Sequence, residues 1–235
     1  MKQLTLLFTL CLVLLASCRQ AEVPTQYTDS LQLPKMYPDY VDVTIPVNIA
    51  PLSMELCQQA QDVVVRYAAG SEEIVCGGKK AMPDIDDWKA LASKAAGGDI
   101  TVEVFAKNDD KWTRFKPFAI HVSKDSIDPY ISYRLIAPSY VTYEELTINQ
   151  RCLENYDESV IYNNMLLSIE TEGQCINCHN YQAYNPNRMQ FHARQNHGGT
   201  VVAYDGKVKK VNMKNDSILS AGVYPAWHPW LKLIA

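Results

Sequence analysis

The chain has 235 residues, 47% hydrophobic and 20% charged, with a formal net charge of −4. A chain of this size buries a core without needing staples. Its charge balance excludes a basic nucleic-acid binder and a polybasic surface for anionic lipid.

Residues 1–17 read as a signal peptide: Lys2, an apolar run from Leu4 to Leu15, then small residues. The run is short for a membrane-crossing helix. The ending Leu15-Ala16-Ser17-Cys18 resembles the lipobox of bacterial lipoproteins. That resemblance implies cleavage before Cys18 and a lipid on its sulfur, which makes the membrane a partner. The mature chain is then expected in the bacterial cell envelope, facing the periplasm, where disulfides and haem thioethers persist.

Residues 18–45 carry Pro24, Pro34 and Pro38 and little periodicity, which predicts a tether. Residues 46–138 predict mostly strands. The runs 62–68 and 72–76 are separated by Ala69-Gly70-Ser71, a hairpin signal. The run 100–106 alternates, with Ile100, Val102 and Val104 on one face. Further strands are predicted over 111–123 and 130–137. One helix interrupts them: Ile85, Trp88, Leu91, Ala92 and Ala95 form a stripe, with Asp84 or Asp86 to cap it and Gly97 to close it. The fold class is therefore mainly β, with 46–138 as an immunoglobulin-like β-sandwich. Cys57 and Cys76 flank the hairpin, and a disulfide or two buried thiols both remain open. Cys152 reads as a small buried hydrophobe, and His121 as a structural histidine.

Residues 139–199 predict a loop-rich segment around Cys175-Ile176-Asn177-Cys178-His179. C-x-x-C-H is the spacing of haem c attachment. Two thiols three residues apart reach one porphyrin edge, and the adjacent imidazole supplies the proximal iron ligand. The competing chemistries are a thiol redox pair, a zinc site using Cys175, Cys178 and two of His179, His192 and His197, and an inert disulfide. No βαβ pattern surrounds the motif, which weakens the redox reading. The adjacency of Cys178 and His179 hinders both from reaching one zinc ion. For a second axial ligand the sequence offers His192 first, with Met189 and His197 as alternatives. Arg194 is placed to pair with a haem propionate.

Residues 200–235 hold a hairpin signal at Asp205-Gly206. They end in Tyr224-Pro225-Ala226-Trp227-His228-Pro229, which is similar to the opening of a TolB-type β-propeller repeat. The lipobox, "YPDYVDVTIPVNIAPL", "IDPYISYRLIAP", the C-x-x-C-H stretch and this tail together resemble a family of Bacteroidetes-type TolB-like or cytochrome-c-like lipoproteins. The resemblance implies a sandwich-like domain, a haem c segment and then a propeller, of which residues 200–235 would be an incomplete first hairpin. No Ser-His-Asp set, P-loop or dinucleotide fingerprint occurs, so no enzyme with its own substrate pocket is expected. The function expected is electron transfer through one haem c to a redox protein partner. The alternative is a scaffold or partner-binding lipoprotein whose C-x-x-C-H segment is structural or binds zinc.

Overall fold

The computed structural model describes residues 21–78, 80–138, 143–166, 174–219 and 221–234. The signal peptide and Cys18 lie outside these residues. The fold is mainly β, and the chain divides into two compact units. The first holds the described residues up to Pro129 together with Leu153–Asn155; the second holds Tyr130–Cys152 and the residues from Tyr156 onward.

In the first unit the strands are β1 (Thr28–Asp29), β2 (Met36–Tyr37), β3 (Val43–Ile45), β4 (Met54–Leu56), β5 (Asp62–Ala69), β6 (Glu72–Gly77) and β7 (Lys80–Ala81). Helix α1 (Ile85–Lys94) follows, then β8 (Asp99–Asn108), β9 (Lys111–Arg114) and β10 (Phe118–Val122). Strand β8 is central. One edge takes β5, and the other takes β9 along its C-terminal half and β10 along its N-terminal half. Pro117, which has no N–H for a ladder, stands between β9 and β10. Strands β2, β4 and β7 form a separate small sheet. Period-two patterning sends Val63, Val65, Tyr67, Ile100, Val102 and Val104 into one core. Helix α1 starts where the Asp84 carboxylate accepts the Asp86 and Asp87 N–H groups. Its buried Trp88 meets Tyr67 edge to face at 5.6 Å and donates through Nε1 to the Ile49 carbonyl.

The tether reading does not hold for the described part of 18–45. Strand β1 pairs in parallel with β9, and β3 pairs in parallel with β10. Tyr27 packs edge-on against Phe105 at 5.2 Å, under the Arg114 guanidinium. Arg114 also binds Asp29 and Glu103, and Glu103 binds Arg66. Proline at a sheet edge does not prevent this docking, because an edge strand needs only half of its N–H groups paired.

The second unit holds β11 (Tyr130–Leu135), β12 (Thr147–Cys152) and β13 (Glu158–Asn163) in one antiparallel sheet. A second sheet holds β14 (Ile176–Tyr181), β15 (Arg188–Ala193), β16 (Gly199–Tyr204) and β17 (Lys207–Val211) in chain order. The two sheets share a core of Leu146, Ile148, Ile176, Met189, Phe191 and Ala193. The expected boundary near residue 138 is thus displaced, because β11 belongs to the second unit. The loop-rich reading of 139–199 is also corrected, since the segment contains β12, β13, β14 and β15, all paired. Residues 200–211 are the second half of this four-stranded sheet rather than a separate hairpin, and β16 is an interior strand.

Residues 221–234 lie against the face of that sheet remote from the shared core. The Gln182 amide donates to the His228 and Leu231 carbonyls at 2.8 Å each. Asn180 donates to the Pro225 carbonyl at 2.8 Å. Trp227 approaches the Tyr204 ring, with centroids 6.0 Å apart.

Candidate functional site

Ile176 to His179 of the Cys-x-x-Cys-His run open β14, with Cys175 just before it. Ile176 and Tyr181 anchor it by packing against the shared core. The ladder to β15 is broken inside the motif: Asn177 faces His192 and Asn180 faces Gln190. That is three steps on β14 against two on β15, so Cys178 and His179 together oppose Phe191. This is a β-bulge, a device that re-aims side chains. At its centre Cys178 adopts a left-handed backbone, φ 59°. Glycine is the usual occupant of that conformation, and a residue with a Cβ there is strained. A regular strand would send residues 175 and 178 to opposite faces. The bulge interrupts that alternation within the motif itself.

Cys175 and Cys178 are both half-buried and carry free thiols. Cys57 and Cys76 are free as well, so the disulfide left open by the sequence is not formed. The reason is placement. Cys57 is exposed just after β4 of the small sheet, whereas Cys76 is buried in β6 of the large one. Burial, with Asp87 as a second cause, pushes the Cys76 thiol up to about 11. Cys152 is buried, as its reading required.

The residues around the first cysteine are polar and partly unsatisfied. The Arg194 N–H donates to the Cys175 carbonyl at 2.9 Å, yet its buried Nε finds no acceptor. The Gln174 side-chain amide, 1% exposed, makes no hydrogen bond of good geometry, although the Tyr162 hydroxyl lies close enough to interact with it. Orphaned buried donors are costly, and they mark where a polar group of a ligand fits. Two half-buried thiols, an adjacent imidazole and a guanidinium Nε without an acceptor are the residue types that haem c attachment uses.

The other predicted ligands divide by face. Met189 points into the shared core, 6% exposed. His192 lies on the opposite face, 1% exposed, with Nδ1 3.1 Å from the Thr200 hydroxyl. Burial first, and Arg194 second, hold His192 below the ordinary histidine value. His197 is half-buried in the 3-10 turn Gln195–His197 that follows Arg194. Sequence reasoning missed the bulge and the Gln174 amide; no pattern in the run "EGQC" marks a glutamine that will be buried.

Among the described residues, no three His, Cys, Asp or Glu side chains come together as a group able to hold a metal ion. Comparison with family models, with curated proteins and with solved structures found no match to this chain.

Proposed function

We propose that this chain is a lipid-anchored protein of the bacterial envelope, facing the periplasm, that carries one haem c and passes electrons to a protein partner. Cys175 and Cys178 would hold the haem through thioethers, and His179 would be an axial ligand. Arg194 would compensate carboxylate charge. The observation that carries the reading is the bulge. It sets Cys178 and His179 together opposite one residue of β15, three residues on from Cys175; both thiols are free and half-buried, beside buried polar groups that have no hydrogen-bond partner. Bound there, haem supplies one-electron chemistry at a potential set by its axial ligands. The chain itself supplies attachment, an imidazole and a half-buried setting.

The test is covalency. Protein made in cells with a haem c maturation system should keep its haem through denaturation and stain for haem peroxidase activity on a gel. Cys175→Ala with Cys178→Ala should give a colourless band. A colourless wild-type band removes the reading.

A partner-binding scaffold is the second reading, and the C-terminal segment favours it. Trp230 is 86% exposed, Leu219 79% and Tyr224 73%. The meander β14–β17 has the four strands of a propeller blade, which supports the TolB-like resemblance. A partner captured equally well by the double cysteine variant would favour this reading over electron transfer.

A further inference from the structure

Strand β17 (Lys207–Val211) is the outer strand of the four-stranded sheet, with β16 as its one strand neighbour. All five of its residues are exposed, Val208 at 69% and Val211 at 44%. A strand with one face on a core alternates buried and exposed residues, so both faces of β17 stand clear of the core. Its ladder to β16 runs from Thr200 opposite Val211 to Tyr204 opposite Lys207. Among the described residues, no backbone hydrogen bond leaves β17 on its other side. An open row of N–H and C=O groups is a template for a further strand.

This edge is positive in an acidic chain. Between Asp205 and Asp216 stand Lys207, Lys209, Lys210 and Lys214 and no carboxylate, although the whole chain has a formal net charge of −4. Val201 and Ala203 pack towards the shared core, so their partners Lys210 and Val208 lie on that side. Lys210 is engaged there, its Nζ donating to the His197 carbonyl at 3.1 Å. Lys207 and Lys209, opposite Tyr204 and Val202, lie on the other face. Among the described residues neither forms an ion pair.

The lysines decide what the edge accepts. In an antiparallel pairing of β17 with its own copy, two lysines come directly opposite each other wherever the two-fold axis falls between Val208 and Lys210. An in-register parallel pairing sets every lysine beside its twin. Like charges directly opposite oppose pairing, and opposite charges favour it. The matching strand therefore carries carboxylates at two alternate positions, opposite Lys209 and Lys207, and apolar side chains opposite Val211 and Val208.

We propose that the free edge of β17 docks an acidic, extended segment of another protein as an added antiparallel strand, with carboxylates on Lys207 and Lys209. The lysines that guard the edge against copies and uncharged strands thereby select the partner. The ladder supplies affinity, and the charges supply specificity. Neither motif cysteine takes part, so docking here is separate from haem attachment and does not depend on it.

The experiment measures, by fluorescence anisotropy at low salt, binding of the full chain to a labelled peptide centred on Val-Thr-Glu-Val-Glu. Two further peptides carry N-methyl groups on alternate backbone amides, one set complementary to the other. A fourth has lysine in place of each glutamate. Only alternate amides of an added strand face β17, so one methylated peptide should bind like the parent and the other should not bind. Added salt should weaken the parent complex. The double variant Lys207→Glu with Lys209→Glu should bind the parent roughly tenfold more weakly and gain binding to the lysine peptide, with its urea midpoint close to that of the wild type. Absence of binding to the parent peptide overturns the proposal. Equal behaviour of the two methylated peptides overturns it as well, because it removes the ladder. A double variant that keeps the parent affinity, or does not take up the lysine peptide, overturns the assignment of Lys207 and Lys209.

Discussion

Cys178 joins local strain to the site's chemistry. Its φ of 59° puts a Cβ where glycine is at ease, at a cost of roughly 1 kcal/mol. In haem-free protein, Cys178→Gly should therefore raise stability by roughly 0.5–1 kcal/mol, while β-branched Cys178→Val should lower it by at least about 1 kcal/mol. Urea midpoints measure both, and equal midpoints for the two variants would show a relaxed backbone. His121 offers a pH prediction. The Asp99 hydrogen bond first, and the Asp42 bond second, raise it above the ordinary histidine value, about 6.5. The folded form thus binds the proton more tightly than the unfolded chain. Its contribution is complete below that ordinary value and disappears as pH rises through the folded one. The wild-type urea midpoint should fall across this window, and His121→Asn should flatten the fall. Parallel curves would assign the slope to other groups.

Among the elements, the C-terminal segment is held by side chains of the motif sheet rather than by a ladder. Gln182, 2% exposed, donates to two of its carbonyls. Gln182→Ala leaves both carbonyls without these donors, a loss of roughly 1–3 kcal/mol. The amides of His228 and Leu233, which donate within the segment, should exchange faster, and trypsin should cut sooner after Lys232. Unchanged exchange would mean that Asn180 and Trp227 secure the segment without Gln182. Strand β17 is exposed along its whole length and carries Lys207, Lys209 and Lys210. Lysines on an edge strand discourage pairing with other chains, so this edge is guarded although it is solvent-exposed.

At the scale of the whole molecule, each unit has its own apolar core. Among the described residues no helix is long and apolar enough to cross a membrane. The proposed lipid on Cys18 has its own test. Cys18→Ala should move the protein from the membrane fraction to the soluble periplasm or leave it unprocessed. Retained labelling with a radioactive fatty acid in that variant would exclude this anchor.

The sequence alone determined the mainly-β class, helix α1 and the hairpins at Gly70 and Asp205-Gly206. These follow from local signals: alternation in β5 and β8, an aspartate cap, and turn residues that accept a left-handed backbone. It also marked Cys175, Cys178 and His179 by spacing. It did not reveal that Cys178 and His179 lie on a strand, because β14 lacks apolar alternation, although its partner β15 alternates through Met189, Phe191 and Ala193. One face of their sheet carries Asn180, Gln190, His192 and Thr200, a polar set that reads as solvent-facing loop. Tertiary structure buries Gln190, His192 and Thr200, and the C-terminal segment binds Asn180 from more than forty residues away. The docking of residues 27–29 was equally illegible, since it depends on Arg114, about 85 residues further on. The tertiary fold also decided the bulge that aims Cys178 and His179. An extra residue in one strand exists only relative to the partner strand, and a partner is a long-range fact that no local window contains.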